Sequence, residues 1–144
     1  MGLPISGKLS LVTGRNAITS ADSTYPSGEN QSGSVEVPDK AKGSRTHILI
    51  DATGNTSSAA FVGSIWGYIK ETDRWYFLDN ILDDFNNSTT VSLTTTPLDD
   101  GNNIHYAVAL DHASAYDKLW VAFTTLTAIT SITQRYAFEG LHSR

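Results

Sequence analysis

The sequence contains no cysteine, and only 17% of its 144 residues are charged. Without cysteine, the chain has neither a disulfide framework nor a cysteine-based metal site. It also has no long apolar run, so we expect no transmembrane helix and no signal peptide. The formal net charge of −5 argues against a nucleic-acid-binding protein, because such a protein needs a basic patch to displace counterions from phosphates.

Hydroxyl side chains take the place of charges, since Ser and Thr are abundant along the chain. A length of 144 residues is typical of one domain, and it suffices to bury one hydrophobic core. The charged fraction lies below the usual value of about 25%. Desolvating a hydroxyl costs less than desolvating an ion, so this composition favours a surface that a partner protein can cover.

A stretch rich in Gly, Ser, Asn and Pro interrupts the N-terminal part of the chain. Within residues 14–34, GRNAITSADSTYPSGENQSGS, only Ile18 and Tyr25 are sizeable apolar side chains, so this stretch cannot form a core element by itself. We interpret it as an extended arm that becomes ordered on a partner, with Ile18 and Tyr25 as contacts; a mobile surface loop is the alternative. The single domain then comprises a first strand in 1–13, the arm with one short strand in 14–44, and a β-sandwich body in 45–144.

Short runs of β-branched and aromatic residues, separated by Gly, Asn, Asp and Pro, are typical of β-strands. Nine such runs occur, at residues 8–13, 34–37, 45–51, 59–70, 74–78, 89–95, 103–110, 118–125 and 131–138. No long helix is predicted, although 79–85 and 111–116 have the composition of single helical turns. The spacing of strands and turns predicts an all-β fold, namely a two-sheet antiparallel β-sandwich that is jelly-roll-like and carries an extended N-terminal arm.

Side chains alternate between the two faces of a strand, which assigns three large aromatic residues to faces opposite the core. When Phe61 and Ile65 face the core, Trp66 and Tyr68 face outwards, and Trp120 does the same in the strand at 118–125. Tryptophan and tyrosine are enriched in subunit contacts. We therefore predict a partner interface at Trp66, Tyr68 and Trp120; the alternatives are that a loop covers the outer face or that a β-bulge reverses the register.

The sequence indicates no catalytic residue, no metal site and no cofactor. No metalloprotease, nucleophile-elbow, phosphate-loop or dinucleotide motif is present. The run DDGNN at 99–103 has oxygen ligands of the kind that Ca²⁺ prefers, but Asp-Gly and Asn are turn formers in the first instance, so calcium binding there stays open. The four histidines are scattered with no pair at metal-ligand spacing, namely His47, His105, His112 and His142. Asp79, Asp83 and Asp84 form a second acidic cluster.

Two segments have a distinctive pattern of aromatic residues, namely the hairpin SIWGYIKETDRWYFLDNI and the later segment IHYAVALDHASAYDKLWVAFTTLT. Both resemble segments of small structural proteins of tailed bacteriophages, and ITQRYAF resembles their closing strand. The resemblance covers roughly residues 60–138 and rests on the general pattern of aromatic, charged and apolar residues in these segments. The matching residues are Trp66, Tyr68, Trp75, Leu78, Tyr116, Asp117, Lys118, Leu119, Trp120 and Val121.

The resemblance implies a non-enzymatic virion protein, most closely a capsid decoration or cement protein that stabilises contacts between major capsid subunits. Its partners would be the major capsid protein or other virion proteins, and it would form a homo-oligomer, either a dimer or a trimer. It would be made in the host cytoplasm and reside on the capsid surface, with neither nucleic acid nor membrane as a partner. A tail or fibre component is an alternative. A carbohydrate-binding module that uses Trp66, Tyr68 and Trp120 as a platform is another, and a hydrolase, which no motif supports, is a third.

Overall fold

A computed structural model of the protein describes residues 9–42, 44–83, 88–93 and 101–139. Within these residues the chain forms nine strands and two short 3₁₀ turns, at Asp39–Ala41 and Ala113–Ala115, with no α-helix. The strands are β1 (Leu9–Ile18), β2 (Val35–Glu36), β3 (Thr46–Gly54), β4 (Ala60–Ile69), β5 (Arg74–Asn80), β6 (Thr90–Ser92), β7 (Ile104–Leu110), β8 (Lys118–Thr127) and β9 (Ile129–Glu139).

The strands form two antiparallel sheets, one with the order β1-β9-β3-β7 and the other with the order β2-β8-β4-β5, to which β6 adds by pairing with β4. The pairing is nested, because β1 pairs with β9, β2 with β8, β3 with β7, and β4 with β5. A long hairpin rolled up in this way produces the two packed sheets of a jelly roll. The predicted all-β, jelly-roll-like sandwich is therefore confirmed.

The core lies between the sheets and follows the alternation expected from the sequence. Phe61 and Ile65 of β4 are fully buried, as are Ile48 and Ile50 of β3 in the opposite sheet. Phe61 also meets Phe123 of β8 edge to face, with ring centroids 5.8 Å apart, a geometry that aromatic pairs prefer. The inward faces of both sheets therefore form the core, and their outward faces are left for contacts with other molecules.

β1 is longer than the sequence predicts, because the strand continues past Thr13 to Ile18. Two irregularities in its pairing with β9 absorb Gly14 and the residues after Arg15. A side chain at Gly14 would place its Cβ 2.5 Å from Oε1 of Gln134 and 2.6 Å from Cε2 of the buried Tyr136 ring, so any larger residue would force these side chains to shift. The Gly-Arg-Asn sequence indicates a turn, but it is accommodated here as a β-bulge.

The arm predicted for residues 14–34 does not extend away from the body. Residues 14–18 belong to β1, and residues 19–34 cross the outer face of the five-stranded sheet. We call residues 19–34 the strap. Ile18, a predicted partner contact, is only 8% exposed and belongs to the core. Its expected exposure is wrong, because β1 extends the core sheet further along the chain than the composition indicates.

Candidate functional site: the outer faces of the sandwich

Aromatic side chains line up across the outer face of the five-stranded sheet. Trp66 of β4 lies directly opposite Trp120 of β8 on one side and Phe77 of β5 on the other. In the next row, Tyr68 of β4 lies opposite Trp75 of β5. Because side chains directly opposite each other on adjacent strands touch, this register builds a continuous apolar surface.

The strap covers much of this surface and binds it through backbone carbonyl groups. The indole N–H of Trp120 donates to the carbonyl oxygen of Ser32 at 2.9 Å, and the indole N–H of Trp75 donates to that of Gly28 at 2.7 Å. The ammonium group of Lys118 donates to the carbonyl oxygen of Glu29 at 2.8 Å. The outward tryptophans therefore bind a segment of their own chain.

Asp22 anchors the first part of the strap. Its carboxylate accepts hydrogen bonds from the guanidinium of Arg15 at 2.5 and 2.9 Å and from the backbone N–H of Phe123 at 2.8 Å. Its own backbone N–H donates to the carbonyl of Phe123 at 2.7 Å. Arg15 in turn stacks 4.8 Å above the ring of Trp120. A bidentate, charge-assisted pair of this kind is among the stronger polar contacts in proteins.

Two of the predicted interface residues face outwards but are not exposed. Trp120 is 2% exposed and Tyr68 is 1% exposed, so the expectation that these rings are free for a partner is wrong. The physical reason is the alternative raised from the sequence, namely that a loop covers the outer face. The proposed carbohydrate platform of Trp66, Tyr68 and Trp120 fails for the same reason.

Tyr68 is held by a hydrogen bond from its hydroxyl to the carboxylate of Asp73 in the β4–β5 turn. Its ring also packs against Trp75, with centroids 5.3 Å apart. The hydrogen bond to Asp73, reinforced by burial, raises the pKa of Tyr68 to about 12. Tyr68 thus fixes the hairpin and is protonated at neutral pH.

Trp66 and Tyr25, the two remaining predicted contacts, come together at a gap in the cover. Tyr25 is 80% exposed, and its ring lies 5.5 Å from that of Trp66, tilted by 56°. On its other side Trp66 meets Phe77, which is 51% exposed, at 5.7 Å. Phe77 was not singled out from the sequence, although its alternation with Trp75 in β5 places both on one face.

The rings of Tyr25 and Trp66 border a cavity of about 190 Å³ between the strap and the sheet. We call this cavity the aromatic groove. Its described lining consists of Asp22, Ser23, Thr24, Tyr25, Pro26, Ser64, Trp66, Ala122 and Thr124.

The outer face of the four-stranded sheet has a different character. Leu11 of β1 is 61% exposed, Leu49 of β3 is half-buried, and Ala107 and Ala109 of β7 are exposed. We call the surface formed by Leu11, Leu49, Ala107 and Ala109 the flat face. These four side chains are shorter than the aromatic rings on the outer face of the other sheet, and His47, His105 and Arg135 lie beside them on the same outer face.

Charged and polar side chains on and beside the flat face contact one another. Asp51 accepts a hydrogen bond from Arg135 at 2.6 Å and lies 2.8 Å from Nδ1 of His105. His47 lies 2.6 Å from a carboxylate oxygen of Glu139. These contacts place two of the scattered histidines beside carboxylates at the protein surface.

The structure brings together no metal centre from the candidate ligands. Across the described ranges, no group of three or more His, Asp or Glu side chains could hold a metal ion. His142, Asp84 and Asp99–Asp100 of the candidate calcium run lie outside the described residues. His112 is exposed, and Asp83 is fully buried, with its backbone N–H bonded to the carbonyl of Ser88.

Comparison with known proteins adds no assignment. No protein-family model matches the chain, and no curated protein matches its sequence. In the part of the chain that the structure describes, no helix is long and apolar enough to cross a membrane. Function therefore has to be argued from the two outer faces of the sandwich.

Proposed function

We propose that the protein is a non-enzymatic structural protein of a tailed-phage particle, a capsid decoration or cement protein that stabilises contacts between major capsid subunits. The observation that carries this proposal is the flat face. The outer face of the five-stranded sheet is largely occupied by the strap, whereas Leu11, Ala107 and Ala109 of the flat face are exposed.

The chemistry of the flat face suits burial against another subunit. Leu11 and Leu49 supply apolar area, and Ala107 and Ala109 allow another backbone to approach closely. The Arg135–Asp51 pair, at 2.6 Å, is formed before any partner arrives. A partner that covers it therefore does not have to leave an unpaired charge in the interface, which would be the costly outcome.

The size of the flat face favours assembly through several copies. Four strands at a spacing of about 4.8 Å, and about seven residues at 3.3 Å each, span roughly 450 Å². A standard interface buries about 800 Å² per partner. One copy of the face is therefore small for a stable contact, whereas a dimer or trimer that presents several copies to a symmetric capsid gains avidity.

The jelly-roll topology is compatible with this role, since viral capsid proteins are among the proteins that use it. Lectin domains use it as well, so the topology alone selects neither function. The low charge of the chain and the resemblance of the β4–β5 hairpin and β8 to phage structural proteins favour the particle.

The proposal is tested by placing one arginine on each outer face. Ala109→Arg introduces charge and bulk into the flat face, and Ala21→Arg makes the same exchange at an exposed position of the strap. Both positions are exposed, so we expect the free energy of unfolding to change by less than about 0.5 kcal/mol in each variant. Mass spectrometry of purified phage particles should detect the wild type and Ala21→Arg, and should show at least a tenfold loss of Ala109→Arg.

Two results would contradict this function. The first is that the wild-type protein is missing from purified particles that are otherwise complete. The second is that Ala109→Arg is incorporated as well as Ala21→Arg, which would remove the flat face from the contact.

A tail or fibre component that binds carbohydrate is the second candidate. The observation that favours it is the aromatic groove, which keeps Tyr25 and part of Trp66 accessible. This site differs from the platform expected from the sequence, because Tyr68 and Trp120 are covered.

A further inference from the structure

The aromatic groove combines a floor from the sheet with a wall from the strap. Trp66 and Ser64 of β4 and Thr124 of β8 belong to the floor, and Tyr25 belongs to the wall. Because the rings of Tyr25 and Trp66 are tilted by 56°, the apolar wall at Tyr25 meets the apolar floor at Trp66 at an angle. A ligand in this groove must therefore present apolar surface to both rings.

The groove carries no charge that is free to bind a ligand. Among the described residues of its lining, Asp22 alone is charged. Both carboxylate oxygens of Asp22 already accept hydrogen bonds, from Arg15 and from the N–H of Phe123. The ligand that fits is consequently neutral, because neither an anion nor a cation would find a compensating charge.

Hydroxyl groups supply the remaining polar contacts. Thr24 and Thr124 are exposed at the groove, and Ser64 accepts the indole N–H of Trp66 at 3.0 Å, which leaves its own O–H as a donor. Each hydroxyl group can donate one hydrogen bond and accept others, which matches a ligand whose rim also consists of hydroxyl groups. A sugar ring has such a rim around an apolar face.

We propose that the aromatic groove binds a neutral hexose ring of an oligosaccharide, with the exposed ring of Tyr25 against the apolar face of the sugar and Trp66 against its edge. This inference rests on the second candidate function and names the ligand class of its site, and it does not depend on the capsid role of the flat face. A proline-rich peptide also binds aromatic grooves, but its carbonyl groups need donors. The indole N–H of Trp66 is already bonded to Ser64, so a peptide carbonyl would have only the hydroxyl groups of the groove as donors, and binding of such a peptide is the competing outcome of the test.

A second cavity suggests a site for further sugar rings. This cavity, of about 500 Å³, shares Asp22 and Thr24 with the aromatic groove and is bordered by the polar side chains of Asn16, Gln31 and Ser32. It continues the groove along the strap towards β1. An oligosaccharide should therefore bind more tightly than the corresponding monosaccharide.

The test is isothermal titration calorimetry of the full chain with neutral gluco-, manno- and galacto-oligosaccharides. Tyr25→Ala removes an exposed ring without disturbing the core, and we expect it to weaken binding about tenfold or more. Tyr76→Ala is the matched control, because Tyr76 is also exposed but alternates with Phe77 onto the opposite face of β5. Binding to the control should stay within about twofold of the wild type.

Binding of one oligosaccharide series, lost in Tyr25→Ala and retained in Tyr76→Ala, supports the site. Three outcomes overturn it: no series binds, Tyr25→Ala binds as well as the wild type, or Tyr25-dependent binding is found only for a proline-rich peptide. Incorporation of Tyr25→Ala into phage particles is measured in parallel. Normal incorporation with lost sugar binding separates this site from the role of the flat face.

Discussion

The two sheets of the sandwich present very different outer surfaces. The five-stranded sheet carries large aromatic rings on its outer face, and the strap covers much of this face. The indole groups of Trp75 and Trp120 donate hydrogen bonds to carbonyl groups of the strap. The four-stranded sheet presents the small residues of the flat face, and its charges are paired within the sheet. Large outward aromatic side chains therefore do not by themselves identify a partner surface, because here the rings of Trp75 and Trp120 already bind a segment of their own chain.

The largest effect expected from this difference concerns Trp120. Trp120→Ala removes a buried ring, its bond to Ser32 and the stack with Arg15, so we expect the free energy of unfolding to fall by about 3–5 kcal/mol. Leu11→Ala on the flat face should change it by less than about 0.5 kcal/mol. Chemical denaturation measures both. Equal effects of the two variants would show that the strap does not shield the five-stranded sheet.

The next effect concerns the anchor of the strap. Asp22→Ala leaves the guanidinium of Arg15 and the N–H of Phe123 without their acceptor, so we expect a loss of about 2–3 kcal/mol. The exposed pair Arg45–Asp111, with N–O distance 2.8 Å, is the control, and Asp111→Ala should cost much less than Asp22→Ala because solvent screens an exposed ion pair. If hydrogen exchange of the strap were unchanged in Asp22→Ala, the strap would have to be anchored elsewhere.

The smallest effect concerns Tyr68 and appears only at alkaline pH. Tyr68 has its pKa raised to about 12, first by the hydrogen bond to Asp73, whereas burial raises the pKa of Tyr136 in the core. A raised folded-state pKa means that the stabilisation is complete below pH 10 and is lost as the pH rises towards 12 and beyond. Tyr68→Phe should therefore make the free energy of unfolding fall less steeply between pH 10 and 12. An unchanged slope in denaturant titrations would contradict this assignment.

Much of the fold could be predicted from the sequence, because short amphipathic strands carry their own signal. The alternation around Phe61, Ile65 and Trp66 correctly gave the inner and outer faces of β4. The end of β1 was missed, since a glycine followed by polar residues indicates a turn. Gly14 instead permits close packing against Gln134 and Tyr136.

The candidate site could be predicted only in part. Trp66 was predicted as an outward aromatic residue and Tyr25 as a partner contact of the arm, and the two rings do meet, at 5.5 Å. Their contact could not be predicted, because it depends on where the strap crosses the sheet. That path is set by hydrogen bonds to backbone carbonyls, which leave no trace in the side-chain pattern, and by Asp22, whose partners Arg15 and Phe123 lie on two different strands.

Binding through carbonyl groups also affects how the surface of the molecule can vary. Exposed strap residues such as Ser27 and Asn30 can be substituted while the backbone carbonyls of Gly28 and Ser32 still accept hydrogen bonds from the same indole groups. Substitution is restricted at Asp22, which anchors the segment, and at Gly28 and Gly33, whose φ angles are 76° and 82°. The strap is therefore a place where the exterior chemistry can diversify while the jelly roll beneath it stays the same.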